Sequence, residues 1–140
     1  MTRKNDVSKR EDLAYNIFKK KTKGERQVEN CIFCKIANHV IESNYAYEDE
    51  LISAFYDMDP QAPVHVLIVP KKHIGSLDEA KEEDAEILSH ILLKIKDIAA
   101  DLGLENGYRV VINTGEDGGQ SVHHLHFHLL GKRAMKWPPG

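Results

Sequence analysis

The chain has no Gly-x-x-x-x-Gly-Lys-[Ser/Thr] loop and no Gly-x-Gly-x-x-Gly turn, which excludes the common P-loop and dinucleotide-binding designs. No apolar run approaches the ~18 residues of a membrane span, and the first thirty residues lack the apolar stretch of a secretory signal. Both absences point to a cytoplasmic protein without a membrane partner. Cysteine is scarce, with two residues at Cys31 and Cys34. A disulfide scaffold is therefore excluded, and in a reducing compartment no lasting disulfide is expected. Excess positive charge is also missing. The formal net charge of -3 leaves no basic field for nucleic acid. No internal repeat and no low-complexity tract interrupts the chain. Its 140 residues, 41% hydrophobic and 29% charged, suit one globular domain with a core of its own.

The charge that is present is uneven. Residues 1–30 hold nine Lys/Arg against five Asp/Glu, and residues 31–140 hold ten against seventeen. The first thirty residues read as a basic extension. Ser8-Lys9-Arg10-Glu11 fits a capping box, Leu13, Ala14, Ile17 and Phe18 follow at helical spacing, and Gly24 is a stop. One short amphipathic helix over roughly residues 9–22 is expected there, and no function is assigned to it.

From Cys31 onward the pattern is that of a folded domain. Cys31–Ile36 reads as a short helix or turn. Tyr45–Glu48, Leu51–Asp57, Val64–Val69 and Tyr108–Asn113 read as strands, separated by the turn-formers Asp49-Glu50 and by Asp57-Met58-Asp59-Pro60-Gln61-Ala62-Pro63. Ile87, Leu88, Ile91, Leu92, Ile95, Ile98, Ala99 and Leu102 recur at three- and four-residue steps, the apolar stripe of a long helix. Glu82, Glu83 and Asp84 form its acidic first turn and Gly103 its C-terminal stop. Five short strands at hairpin-like spacing and one long helix predict an α+β fold with an antiparallel sheet.

The fifth strand is the most informative stretch. In Ser121-Val122-His123-His124-Leu125-His126-Phe127-His128-Leu129-Leu130, four of the eight histidines fall within six positions. His124, His126 and His128 alternate with Leu125, Phe127 and Leu129, so one strand face is apolar and the other carries three imidazoles. At a rise of roughly 3.3 Å per residue, His124 and His128 lie about 13 Å apart along the strand. One metal ion cannot collect all three at Zn–N distances of about 2 Å. The row must therefore divide its labour, and imidazoles in such number point to metal binding, proton transfer or nucleophilic chemistry.

Other residues carry weaker signals. Gly115, Gly118 and Gly119 lead through Gln120 and Ser121 into the histidine row. They make either a plain hairpin turn or a nest of backbone N–H groups for an anion, and three imidazoles and a hydroxyl nearby favour the anion. Cys31 and Cys34 supply half of a tetrahedral zinc set, which His73 and His124 are available to complete. A redox pair and two structural thiols are the competing readings. Asp57 either binds a hydroxyl pair or caps a turn. His65 in its strand reads as hydrogen-bonded filler, and His39 and His90 as surface residues.

These segments together resemble the histidine triad (HIT) superfamily. His124-Leu125-His126-Phe127-His128-Leu129-Leu130 is similar to its His-φ-His-φ-His-φ-φ signature, where φ is apolar. Phe55–His65 resembles the family's first nucleotide loop, and Val69-Pro70-Lys71-Lys72-His73-Ile74 the strand end that follows it. Ala100–Leu104 and Gly118-Gly119-Gln120-Ser121-Val122 match as well, and Trp137-Pro138-Pro139-Gly140 resembles the ending of the Hint branch, the purine nucleoside phosphoramidases. The resemblance covers roughly residues 31–140, so the chain divides into a 1–30 extension and a 31–140 HIT domain. Two positions depart from the branch: His123 stands where an aromatic residue is usual, and His39–Ser43 lacks the usual proline.

The resemblance implies a HIT-like fold, with a five-stranded antiparallel sheet, one long helix and short N-terminal helices. It implies hydrolysis of P–N bonds in purine nucleoside phosphoramidates of the AMP-amine type. His126 would be the catalytic nucleophile, forming a covalent nucleotidyl-histidine. His128 and Ser121 would contact the phosphate, with Asn113, Gly119 and Gln120 at the same end. Asp57 would hold the ribose hydroxyls, Met58 would line the nucleoside pocket, and His65 would support the site. Cys31, Cys34, His73 and His124 would hold a structural zinc, and no organic cofactor is implied. The branch is homodimeric, with Trp137 reaching the partner's leaving-group pocket. The purine ligand (AMP, GMP or adenosine-like) is left open. Two other classes compete: a non-catalytic purine nucleotide-binding regulatory module, and a hydrolase whose histidine row holds a catalytic metal.

Overall fold

The computed structural model describes residues 30–140. The helix expected over roughly residues 9–22 lies outside the described residues. The elements run α1 (Ile32–Ala37), β1 (Tyr45–Glu48), β2 (Ile52–Tyr56), β3 (Val64–Pro70), α2 (Ala85–Asp101), β4 (Tyr108–Val111) and β5 (Phe127–Gly131). The strands form one antiparallel sheet in the order β1-β2-β3-β5-β4. The α+β architecture with a five-stranded antiparallel sheet and one main helix is thus the one observed. Among the described residues no helix is long and apolar enough to cross a membrane.

The sheet is buried on both faces, and the two faces do different work. On one, Ile52, Ala54, Val66, Ile68, Phe127 and Leu129 pack beneath Ile91, Ile95, Ile98 and Ala99 of α2. This is the main core, and β3 is buried along almost its whole length because its other face is covered too. There Phe55, Leu67 and Val69 meet Phe33, Ile36 and Ala37 of α1. Period-2 alternation sends successive residues to opposite faces. Leu125, Phe127 and Leu129 therefore enter the α2 core, while His124, His126 and His128 turn towards α1.

Three local expectations change. The histidine strand begins only at Phe127. Before it, the Leu125 N–H donates to the Ile74 carbonyl (2.6 Å), beyond the end of β3, so the chain has left the ladder. The acidic residues 82–84 form a separate 3-10 turn ahead of α2, where the buried Asp84 accepts the Lys81 N–H (2.9 Å) and pairs with Lys72 Nζ (2.6 Å). Leu92, counted in the helical stripe, is 56% exposed. Each residue turns about 100° around the axis, so a neighbour of the buried Ile91 falls off a narrow stripe.

The C-terminus of α2 follows the glycine signal closely. Gly103 has φ +74°. Its N–H donates to the Ala100 carbonyl and the Leu104 N–H to the Ala99 carbonyl, the paired bonds of a Schellman stop. Leu104 then packs into the core.

Candidate functional site

The register between β3 and β5 builds the site. Leu67 stands opposite His128 and His65 opposite Leu130, so His65 and His128 are diagonal neighbours on the α1 face. His65 Nε2 lies 2.9 Å from His128 Nδ1. His126 precedes the strand, 5.1 Å from His128 between ring centroids, and Phe33 of α1 meets its ring edge-on at 5.0 Å. A cavity of about 260 Å³ opens here, near the lower end for small-ligand sites. Its polar lining comes from Asp57, Ser121, His126 and His128, and its apolar walls include Ile32, Phe33 and Ile36.

Backbone partners decide which nitrogen of each ring carries the proton. The His124 carbonyl, which can only accept, lies 2.7 Å from His126 Nδ1. His126 is therefore protonated at Nδ1 when neutral, and its Nε2 is a free lone pair, as a nucleophile requires. The Gln61 N–H donates to His65 Nδ1 (3.1 Å), so neutral His65 carries its proton on Nε2 and donates it to His128 Nδ1. That leaves His128 protonated at Nε2, a buried atom with no partner among the described residues. An unpaired buried N–H beside a cavity calls for an acceptor. One lone pair and one N–H on adjacent imidazoles are what attack on an anionic centre needs.

Burial disfavours charge on two of these rings, His65 and His128. Burial, with the neighbouring His126 and His65, pushes the His128 pKa down to about 4. Burial also lowers His65, although Asp57 and Asp59 pull the other way. Asp57 Oδ2 lies 3.5 Å from His65 Nε2. Asp57, His65 and His128 together bring three potential ligand atoms within 4.8 Å of one another. The hydrogen bonds argue against a metal there, since His65 has its Nδ1 lone pair engaged and its Nε2 protonated.

The second cluster consists of Cys31, Cys34, His73 and His124, whose ligand atoms also lie within 4.8 Å of one another. Cys31 Sγ is 3.3 Å and Cys34 Sγ 3.4 Å from His124 Nδ1, and Cys34 Sγ is 3.2 Å from His73 Nδ1. Tetrahedral zinc with bonds of about 2.3 Å to sulfur and 2.0–2.1 Å to nitrogen sets the S···N edge at roughly 3.6 Å. The observed spacings sit a few tenths below that. His124 Nε2 donates to the Pro70 carbonyl (2.8 Å), which fixes the tautomer and aims Nδ1 at the sulfurs. Cys31 also caps α1, accepting the Cys34 N–H (3.4 Å). Burial, followed by the charge of Cys31, pushes the Cys34 thiol up to about 12. A buried thiolate needs a cation, and the donor set suits a thiophilic divalent ion such as zinc.

The histidine row thus divides as its length requires. His124 joins His73 (ring centroids 4.9 Å apart), while His126 and His128 face the cavity. Met58 lines the cavity mouth and is 99% exposed. Asn113, Gly119, Gln120 and Trp137 are not among the cavity-lining residues. The Gln120 side chain is spent on loop backbone, donating to the carbonyls of Gly75 (2.7 Å) and Val122 (3.0 Å) and accepting the Gly115 N–H (3.1 Å). The Gly119 N–H is taken by the Glu116 carbonyl (3.0 Å). Gly118 is required for packing, because a Cβ there would meet the Thr114 carbonyl oxygen at 2.3 Å. His65 is a member of the hydrogen-bond chain rather than filler. His90, read as a surface residue, is only part-exposed and bonds Asp49 Oδ2 (2.6 Å). Ile32, Phe33, Ile36 and Ser43 were not anticipated as site residues, although the first three share one face of a helical turn.

Comparison with known proteins agrees with this geometry. The HIT domain family matches residues 38–135. An uncharacterized HIT-like protein of Synechococcus elongatus is 54% identical over 112 residues, covering 80% of this chain and 98% of that one. One from Synechocystis is 52% identical with the same coverage. Among solved structures, a HIT family hydrolase from Legionella pneumophila superposes with a TM-score of 0.77 at 50% identity, over 79% of this chain and 99% of the other. A histidine triad nucleotide-binding protein from Candida albicans gives 0.69 at 36% identity, over 77% and 82% of the two chains. With its triad, its sheet and its cavity in place, the chain belongs to the HIT domain family.

Proposed function

We propose that the protein is a hydrolase of purine nucleoside phosphoramidates, of the type found in the Hint branch. The observation that carries this reading is the complementary pair of tautomers, a lone pair on His126 Nε2 beside a proton on His128 Nε2. His126 attacks the α-phosphorus, and the P–N bond breaks as nitrogen keeps the electron pair, takes a proton from a solvent water at the cavity mouth and leaves as the amine. The nucleotide stays on His126 Nε2 until water attacks phosphorus and releases the monophosphate. One displacement becomes two easier ones. The His128 N–H and the Ser121 hydroxyl receive the phosphoryl oxygens, where charge develops. Asp57 takes the ribose hydroxyls, and the apolar walls with Met58 take the base. Asn113, Gly119 and Gln120 belong to the phosphate end by resemblance, and in this geometry Gln120 acts by bracing the loop that carries Ser121.

Zinc on Cys31, Cys34, His73 and His124 is structural in this reading, because four protein ligands leave no position for substrate. A homodimer is supported by the exposed Leu92 and Leu93 on α2 and Tyr108 on β4, which is an edge strand of the sheet among the described residues. The two free thiols suit a cytoplasmic setting, and residues 1–30 are an appendage to the 31–140 domain.

The test is His126→Ala with adenosine phosphoramidate as substrate. Turnover should fall by three orders of magnitude or more. Acid-labile, base-stable nucleotide label should be trapped on the parent protein and absent from the variant. Turnover near the parent rate would refute the nucleophile. Binding of AMP without turnover or adduct in the parent would leave a regulatory binding module instead.

A further inference from the structure

The two clusters share one helical turn. Helix α1 spans six residues, Ile32–Ala37, far below the ~12–15 at which an isolated helix begins to be stable. Something other than its own hydrogen bonds must hold it on the sheet. Its Phe33, Ile36 and Ala37 are buried, and the Tyr45 hydroxyl donates to the Ile36 carbonyl (2.7 Å). Among the described residues the remaining tether is Cys31 at its cap and Cys34 within it, close to His73 and His124. The intervening residues point the other way, and Ile32, Phe33 and Ile36 line the cavity. Phe33 touches both sides, edge-on to His126 at 5.0 Å and to His124 at 6.1 Å. Without a metal the tether is a few neutral S–H···N contacts. With zinc it becomes a cross-link of four coordinate bonds.

We propose that metal occupancy of the Cys31–Cys34–His73–His124 set controls how tightly the cavity holds a nucleoside, with α1 as the wall that moves and Phe33 as the positioning residue that carries the effect to His126. This rests on the nucleotide reading of the cavity. Metal holds the closed wall, and the closed wall contacts the base and supports the nucleophilic ring. By linkage the coupling is reciprocal: whatever metal does for nucleotide affinity, nucleotide does for metal affinity.

The full-length protein is loaded with zinc, or stripped with a chelator and checked for metal content. Three quantities are read: AMP affinity by calorimetry, zinc release to a chromogenic chelator with and without AMP, and amide exchange across residues 32–37. Metal removal should weaken AMP binding at least tenfold, and AMP should slow zinc release by a similar factor. Amide exchange should rise in α1 while β3 and β5 stay protected. AMP affinity within twofold and unchanged α1 exchange after stripping would overturn the proposal.

Should stripping unfold the whole domain, Phe33→Leu in the zinc-loaded protein decides instead. It should keep full zinc stoichiometry yet raise KM and lower kcat together. Unchanged kinetics in that variant would overturn the proposal. Should the zinc-loaded parent bind no AMP, the nucleotide reading fails by itself. The exchange measurement then still tells whether metal holds α1, and a wall indifferent to metal sinks the inference.

Discussion

Replacing His65 by Phe tests the tautomer argument directly. The ring volume stays, but the Nε2–H that lies 2.9 Å from His128 Nδ1 is lost. Asp57, whose carboxylate lies within 4.8 Å of the His65 and His128 nitrogens, then remains as an acceptor beside His128. It should draw the His128 proton from Nε2 to Nδ1, because a hydrogen bond to a charged group is worth about 1.5–3 kcal/mol. His128 would then present a lone pair to the phosphate. Restoring the competent tautomer costs those same 1.5–3 kcal/mol, or about ten- to a hundredfold in kcat. KM should change less, since the missing donor matters most where charge develops. His65→Gln sharpens the test. Its amide nitrogen reaches the Nε2 position and donates as before, so kcat should recover. Both variants lose the acceptor for the Gln61 N–H, so both should lose about 1–3 kcal/mol of stability. The assays are steady-state kinetics on adenosine phosphoramidate and nitrogen NMR of the imidazoles. A His65→Phe protein with kcat within twofold of the parent, still protonated at His128 Nε2, would refute the chain of inference.

Three further outcomes are expected. Leu129 has no exposed surface and sits in the α2-side core, so Leu129→Ala should cost about 2–5 kcal/mol in urea unfolding, and a loss under 1 kcal/mol would contradict the packing described. The His128 pKa is pushed from 6.5 down to about 4, mainly by burial. Between those values the unfolded chain binds a proton that the folded one refuses, so stability should fall as pH drops through this window and level off below about 4. Denaturation midpoints at several pH values check the sign, and the dependence should be flatter in His128→Asn. Removing residues 136–140 should change relative rates across a panel of amine leaving groups more than it changes Tm, since Trp137 is 83% exposed in the single chain; identical relative rates would remove Trp137 from the pocket.

How far the sequence reached can be judged from particular residues. Gly103 announced its stop correctly, because only a residue without Cβ takes a left-handed φ without strain. The alternation in residues 124–129 assigned its apolar and imidazole faces correctly, because a period of two leaves little choice. It did not tell that the imidazole face is covered by α1. Nor did it tell that the strand begins only at Phe127, since strand length depends on whether a partner backbone is present. Leu92 looked like core and His90 like surface. Both outcomes were decided by which elements pack against α2, and local spacing does not record that. Gln120 carried a motif position but spends its amide on the carbonyls of Val122, two residues on, and of Gly75, 45 positions away.

The sequence by itself determined the kinds of group available and their local periodicity: three alternating imidazoles, a Cys-x-x-Cys and one amphipathic helix. These follow from covalent order and backbone geometry, which act over a few residues. Tertiary structure alone decided which groups the imidazoles meet. His65 reaches His128 across 63 positions of sequence, and Cys31 reaches His124 across 93. The backbone carbonyls of His124 and Pro70 and the N–H of Gln61 then set the proton on each ring. Tautomers depend on hydrogen-bond partners: His126 and His65 find theirs two and four residues away, but His128 finds His65 only once the β3–β5 register is formed.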